Sequence, residues 1–426
     1  MPVDIVIGMQ YGDEGKGKAV DFLSMNADLT VRFQGGDNAG HTIINEYGVS
    51  KLHLIPCGIT NPQAKCLIAS GVVVNLDVLS EEIAELQAKG INCSNLFIDR
   101  KAHLITPFHI LLDEAFESGA GAIGTTKRGI GQAYAFKHLR KSLRVGDLLH
   151  PELWQEKLDE ILPLTNAWLR HFGHEAVTAE LMLAKLSAWK SAFETRIVDG
   201  SRLIQDAVRS GQTVLMEGQL GTMKDIDHGI YPYVTSSSVG VGAAIQSGGF
   251  SHKDIRTIFG VAKLFTSAVG AGPLPAEFEA DEAAILRGTG EHADDEFGAR
   301  TGRSRRLAHL DLVVLNYAAK LNGIDRLILT KLDKLDSLAE IQVCVAYELD
   351  GQRIEAMPDT ESLYRVNPIM QRFKGWNCDT SSIRFFADLP EEAKVYLNFL
   401  ETAVTCPIAY IGNGPARDQL ILGRTD

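Results

Sequence analysis

Short apolar or β-branched runs recur along the chain, each bounded by glycine, proline or a polar turn: Val3 to Ile7, Leu29 to Phe33, Leu52 to Ile55, Cys66 to Val74, Thr213 to Glu217, Ile255 to Ala262, Arg326 to Leu329 and Ile408 to Ile411. Runs of this length suit buried strands and are too short for helices. Between them, Ala19 to Leu23 takes helical spacing. So does Asp77 to Lys89, with Val78, Ile83 and Leu86 set among acids. From Pro151 to about Arg209 glycine is scarce, and Leu and Trp fall at three- and four-residue spacing within mixed charge. That pattern predicts a helical insertion over about residues 151–209. The expected fold class is α/β: a large, mostly parallel central sheet with flanking helices, P-loop-NTPase-like. The candidate ligand loops run from residue 8 to 415 with no linker or repeat between them, so one domain over 1–426 is expected.

Those loops carry the chemistry. Val3 to Ile7 leads into Gly8-Met9-Gln10-Tyr11-Gly12-Asp13-Glu14-Gly15-Lys16-Gly17-Lys18, and helical spacing follows. Strand, glycine turn and helix together point backbone N–H groups and a helix N-terminus at a phosphate. The spacing Gly12-x-x-x-x-Gly17-Lys18 nearly matches a Walker A loop, but Ala19 stands where a magnesium-binding hydroxyl belongs. Asp13 is then the natural oxygen ligand for magnesium. Leu29 to Phe33 runs into a second glycine turn, residues 34–42, where His41 is placed for acid–base or phosphate work. Gly124 to Gly131 combines hydroxyls, amides and two cations, a set that suits an anion. The dense cations of Gly298 to Arg306 call for a carboxylate or phosphate partner. Lys331 and Asp333 follow a strand with the spacing to stack on guanine and accept its N1 and N2 hydrogens. Gly412-Asn413-Gly414-Pro415 can close over a base or ribose.

Composition narrows the partners. At 426 residues, 45% hydrophobic and 23% charged, the chain has the balance of a soluble globular protein with a large core. A formal net charge of -12 argues against nucleic acid or an anionic membrane as a partner. Any phosphate site must therefore be built locally. The six cysteines form no C-x-x-C pair and no zinc spacing, and read as reduced thiols. No apolar run reaches transmembrane length and no basic-then-apolar leader opens the chain, so a cytoplasmic location is expected.

Taken together, Gln10 to Lys18, Asn38-Ala39-Gly40-His41-Thr42, Gly124-Thr125-Thr126, Asp225-Ile226-Asp227-His228-Gly229, Thr301-Gly302-Arg303 and Thr330-Lys331-Leu332-Asp333 resemble the adenylosuccinate synthetase family. The match extends over essentially the whole length, with long motifs in the right order. The resemblance implies a GTP-dependent ligase that joins L-aspartate to IMP, with Mg2+ as cofactor and a homodimer as assembly. It implies Asp13 as general base on purine N1 and as metal ligand, with the Gly40 carbonyl a second ligand. It implies His41 as general acid on departing GDP and Lys16 on the transferring phosphoryl group. Asn38, Thr126, Arg140 and Thr235 fall where the family holds the nucleotide phosphate, Arg140 being lent by the other subunit. Leu220 falls on the purine wall, and Thr301, Arg303 and Arg305 match the loop that clasps aspartate. Gly12, Gly15, Gly17, Lys18, Gly40, Thr42, Lys331, Asp333, Gly412 and Gly414 match the GTP site.

The chain departs from that pattern in places. Where the family usually reads Glu-Gly-Ala-Gln-Gly-Thr, this chain reads Glu217-Gly218-Gln219-Leu220-Gly221-Thr222. Leu220 replaces the glutamine expected near the purine 6-oxygen, and alternation along an extended segment turns Gln219 the other way. Lys224 occupies an apolar position of the family, Arg300 that of a small hydroxyl residue, Ser238 that of an Asn and Gln132 that of a Pro. The changes gather at the acceptor end. They leave open another 6-oxopurine nucleotide, such as GMP or dGMP, or a different amino donor. A non-catalytic guanine-nucleotide-binding regulator is the alternative of another class.

Overall fold

The computed structural model describes residues 1–38, 40–118, 124–292, 295–298, 302 and 304–423. Its centre is a ten-stranded sheet in the spatial order Leu420–Leu422, Ile408–Gly412, Arg326–Thr330, Ile255–Lys263, Val3–Gly8, Val214–Gly221, Leu29–Arg32, Lys65–Ile68, Leu96–Asp99, Ile197–Val198. All neighbouring pairs run parallel except the one that adds the edge strand Leu420–Leu422. Parallel strands covered on both faces need continuous apolar sequence, which is why the runs were legible. Every residue of Val3–Gly8 is buried.

Chain order explains where a site can form. The first strand lies in the middle of the sheet, and Leu29–Arg32 takes its place two positions away, leaving a gap between them. Successive strands then step outward to the edge. Val214–Gly221 returns to fill the gap, and the remaining strands step outward on the other side. Connections leaving the central strands in opposite directions open a crevice at their carboxyl ends.

Boundaries shift where tertiary contacts override local pattern. Cys66 to Val74 divides into Lys65–Ile68 and Val73–Val74. Beyond the strand Gly48–Leu52, the run to Ile55 is a buried loop rather than a strand. Its amides at His53, Leu54 and Ile55 donate to the Glu82 carboxylate at 2.9, 3.0 and 3.3 Å. Burial nonetheless pushes the Glu82 pKa up to about 7. The 151–209 segment holds the helices Trp154–His171, Ala179–Phe193 and Gly200–Arg209. It also holds the strand Ile197–Val198, which extends the sheet beside Leu96–Asp99. Two residues are too few to register as a run. None of the cysteines is bridged, and among the described residues no helix is long and apolar enough to cross a membrane.

Candidate functional site

A cleft of about 340 Å³ opens at the carboxyl edge of the sheet. The turns after Val3–Gly8, Leu29–Arg32, Val214–Gly221, Ile255–Lys263, Arg326–Thr330 and Ile408–Gly412 all reach it. Gly15, at φ 86°, caps the helix Lys16–Leu23 with no side-chain acceptor, so the first N–H groups remain available to an anion. A Cβ on Gly17 would stand 3.0 Å from that of His41, so glycine lets this helix abut the histidine. Glu14 organises the loop from inside. It is fully buried; its Oε1 accepts the amides of Gln10 and Gly12 at 3.0 and 2.9 Å, and its Oε2 pairs with Lys16 Nζ at 2.5 Å.

His41 opens the hairpin His41–Asn45 and Gly48–Leu52 and faces the same cleft. Its Nδ1 lies 2.5 Å from Glu217 Oε1. Glu217, buried at a parallel-strand position, also accepts the Cys57 amide at 2.7 Å and the Cys57 thiol at 3.1 Å, with Arg32 Nη1 at 3.6 Å. Burial raises the cost of ionising Glu217. His41, Arg32 and the Cys57 amide outweigh it and hold its pKa below the usual carboxylate value. An ionised Glu217 can only accept, so Nδ1 carries the proton and Nε2 is left for the cleft. Burial keeps the His41 pKa down, aided by Arg32 and Lys16. The hairpin is anchored from the far end of the chain. Arg417 pairs with Asp21 at 2.7 Å and with Glu46 at 2.8 Å, bonds Thr60 Oγ1 at 2.9 Å, and donates its amide to Ile44 O at 2.9 Å.

A chain of alternating charges runs along the opposite wall. Asp13, in the left-handed region at φ 58°, has its Oδ2 2.8 Å from Arg305 Nε. Arg305 Nη1 lies 2.8 Å from Glu296, which pairs at 2.8 Å with fully buried Lys263. Against the cost of burial, Lys263, Lys331 and Arg305 bring the Glu296 pKa down to about 2. Asp13 and the Gly40 carbonyl offer hard oxygen donors on the cleft wall, a set that suits a divalent cation.

Of the residues singled out in the sequence, Gly12, Asp13, Gly15, Lys16, Gly17, Lys18, Asn38, Gly40, His41, Thr42, Thr126, Leu220, Thr235, Arg305, Lys331 and Gly414 line this one cleft. Arg140 does not; it is exposed at the left-handed end of the helix Ile130–Leu139. Asp333 and Gly412 also stand off the lining, close behind Lys18. A Cβ on Gly412 would lie 3.2 Å from Lys18 Nζ, and Asp333 acts electrostatically on that ammonium. Burial pulls the Lys18 pKa down to about 7, while its Nζ donates to the Gly414 and Gln419 carbonyls, both at 2.6 Å. Thr301 and Arg303, with Arg300, lie outside the described residues.

On the acceptor wall Gln219 and Leu220 face opposite ways as expected, although Leu220 leaves the extended conformation on which that expectation rests. Gln219 is buried away from the cleft, where its carbonyl accepts from Arg32 and its amide donates to Asn38 Oδ1 at 2.6 Å. Leu220, at φ 57°, turns its side chain onto the cleft against Gly12. Lys224 lines the same wall. Sequence reasoning missed Glu14, Arg32, Glu217, Lys263 and Glu296. The one available signal was an acid, Glu217, ending an apolar strand just before a glycine turn.

A family model described as adenylosuccinate synthetase matches residues 5–421. Adenylosuccinate synthetase 1 of Methanosarcina acetivorans is 46% identical over 423 residues, covering 99% of this chain and 100% of that protein. Adenylosuccinate synthetase of Synechococcus sp. strain RCC307 is 45% identical over 422 residues, covering 98% and 96%. The structure of fully ligated adenylosuccinate synthetase from Plasmodium falciparum matches with a TM-score of 0.92 at 34% identity, over 100% of both chains. That of cyanophage S-2L succinoaminodeoxyadenylate synthetase, bound to dGMP and dATP, matches with a TM-score of 0.63 at 18% identity, over 100% of this chain and 96% of that one. The last is a likeness of fold alone.

Proposed function

Because the chain belongs to the adenylosuccinate synthetase family, we propose that its cleft performs the family's two-step ligation with the residues it gathers. The protein is a GTP-dependent ligase that joins L-aspartate to IMP, yielding adenylosuccinate, GDP and phosphate. The observation that carries the assignment of roles is the meeting of Asp13, Lys16 and His41 around one glycine loop.

The 6-oxygen of IMP is a poor leaving group, so it must first be phosphorylated. Asp13 takes the N1 proton, the electron pair moves to the 6-oxygen, and that oxygen attacks the γ-phosphorus as its bond to GDP breaks. Lys16 steadies the phosphoryl charge, and His41, held by Glu217 through Nδ1 and doubly protonated once the GTP phosphates lie against Nε2, gives the Nε2 proton to GDP and returns to the neutral ring. The aspartate amine then displaces phosphate from C6. Magnesium, held by Asp13 and the Gly40 carbonyl, would neutralise charge developing between the β- and γ-phosphates. Lys18, Lys331, Asp333 and the Gly412–Gly414 turn receive GTP; Asn38, Thr126 and Thr235 receive the IMP phosphate. Thr301, Arg303 and Arg305 take aspartate, for which Arg305 must loosen its hold on Asp13. Arg140, exposed and off this cleft, suits donation to the cleft of a second copy in a homodimer, and the cytoplasm is the compartment in which these substrates occur.

Identities of 43–46% to adenylosuccinate synthetases over nearly the full length favour IMP as acceptor over a guanylate. The test is phosphate release and ultraviolet change with GTP, magnesium and aspartate, offered IMP, GMP or their deoxy forms. Turnover with IMP is expected. No turnover with any acceptor would overturn the enzymatic reading, and turnover with a guanylate alone would overturn the acceptor.

A further inference from the structure

Gln219 and Leu220 together leave the acceptor wall without a neutral amide, since one side chain is engaged with Arg32 and Asn38 and the other is apolar. The next polar side chain along the wall is Lys224, at the end of the turn Thr222–Lys224. It lines the cleft with Leu220 and Tyr233. Its ammonium donates to the Tyr233 carbonyl at 3.0 Å and stands 6.0 Å from the centre of the Tyr11 ring. Among the described residues no carboxylate pairs with it. Burial, reinforced by Arg306, lowers its pKa to about 8, so it remains a cation at neutral pH. A partly buried ammonium with three protons, one of them engaged, is poorly satisfied until an anionic or carbonyl oxygen reaches it. Holding the neighbouring loop does not require the side chain, because the Lys224 carbonyl already accepts the Thr235 amide at 2.9 Å.

We propose that Lys224 is the hydrogen-bond donor to the 6-oxygen of the acceptor purine, and that it stabilises the charge this oxygen takes up when the N1 proton leaves. The inference rests on the ligase reading above. Lys224 transfers no proton: N1 gives its proton to Asp13, the oxygen carries the electron pair to phosphorus, and the ammonium only donates a hydrogen bond throughout. A 6-amino group, which presents N–H rather than an acceptor, would meet the ammonium unfavourably. Lys224 thus doubles as a specificity residue against adenine nucleotides.

The test pairs the side chain with the atom it is held to touch. Calorimetric dissociation constants are measured for IMP and for purine ribonucleoside 5′-monophosphate, which carries hydrogen at C6, on the wild type, K224M and K224Q. Because the analogue also lacks the N1–H that faces Asp13, some preference for IMP should persist in every protein; beyond it K224M should lose about tenfold of the wild-type preference, and K224Q, a neutral donor, only about threefold. With IMP, K224M should also lose roughly 10²-fold in kcat while its KM for GTP stays unchanged. If either substituted protein folds and keeps the wild-type preference, Lys224 does not touch the 6-oxygen, whatever its absolute affinity. A wild type that binds neither nucleotide would instead sink the ligase reading from which the inference starts.

Discussion

The two ends of the cleft are built on different terms. At the phosphoryl-transfer end two of the working side chains are tied to buried carboxylates: Lys16 to Glu14 and His41 to Glu217. At the acceptor end Leu220 is apolar, and Lys224 holds a single backbone carbonyl. The first arrangement fixes geometry before any ligand arrives, as transfer between preorganised dipoles requires. The second leaves a cation in want of a partner, which makes it the more changeable end. Divergence within a shared fold is easiest where side chains are not locked into other contacts.

Breaking the tied end should therefore have the largest effects. H41N should reduce kcat by about 10²–10⁴-fold in phosphate release, since it deletes proton donation to GDP. E217Q comes next. It frees the imidazole from its tautomer and leaves Arg32 facing a neutral group, so kcat should fall on the order of 10²-fold and stability by about 3–5 kcal/mol in denaturant titration. If E217Q matches the wild type in both, the contrast between the ends collapses. Lys18 gives a pH-dependent effect of intermediate size. Its pKa of about 7 leaves it mostly neutral at pH 8. Phosphates would draw the proton back, so GTP binding should take up a proton there and weaken by up to about tenfold per pH unit above 7. Calorimetry in buffers of different ionisation enthalpy reads this directly, and K18Q should abolish it. The smallest effect belongs to C57A, which removes one thiol donor to Glu217 and should cost about 1 kcal/mol of stability with kcat within threefold.

Much of this was legible in one dimension. A parallel sheet writes its strands as apolar runs, and Val3 to Ile7 or Ile408 to Ile411 need no partner to be recognised. The glycine loop was visible for the same reason, because Gly15 and Gly17 answer to backbone conformation and close approach. Gln219 and Leu220 do face opposite ways, but with Leu220 at φ 57° in an irregular stretch of the strand rather than in a regular pleat. What could not be read was who meets whom. Glu217 reaches His41 across 176 positions, and Lys263 finds Glu296 across 33. No local pattern encodes a charge pair that only the sheet order brings together. The strand Ile197–Val198 was hidden likewise, since its two residues are strand only because Leu96–Asp99 has an open edge. Arg305, read as a ligand for aspartate, gave no hint that it first rests on Asp13.

Arg417 carries a last consequence. It fastens a turn near the carboxyl terminus to Asp21 on the first helix and to Glu46 on the hairpin that bears His41, so the histidine's placement is enforced by a residue almost the whole chain away. Cutting the polypeptide just before that arginine would remove little of the core, yet would strip a buried acid of its counterion and slacken the hairpin. A newly made chain would then be competent in proton delivery only after the segment around Arg417 had been synthesised and docked.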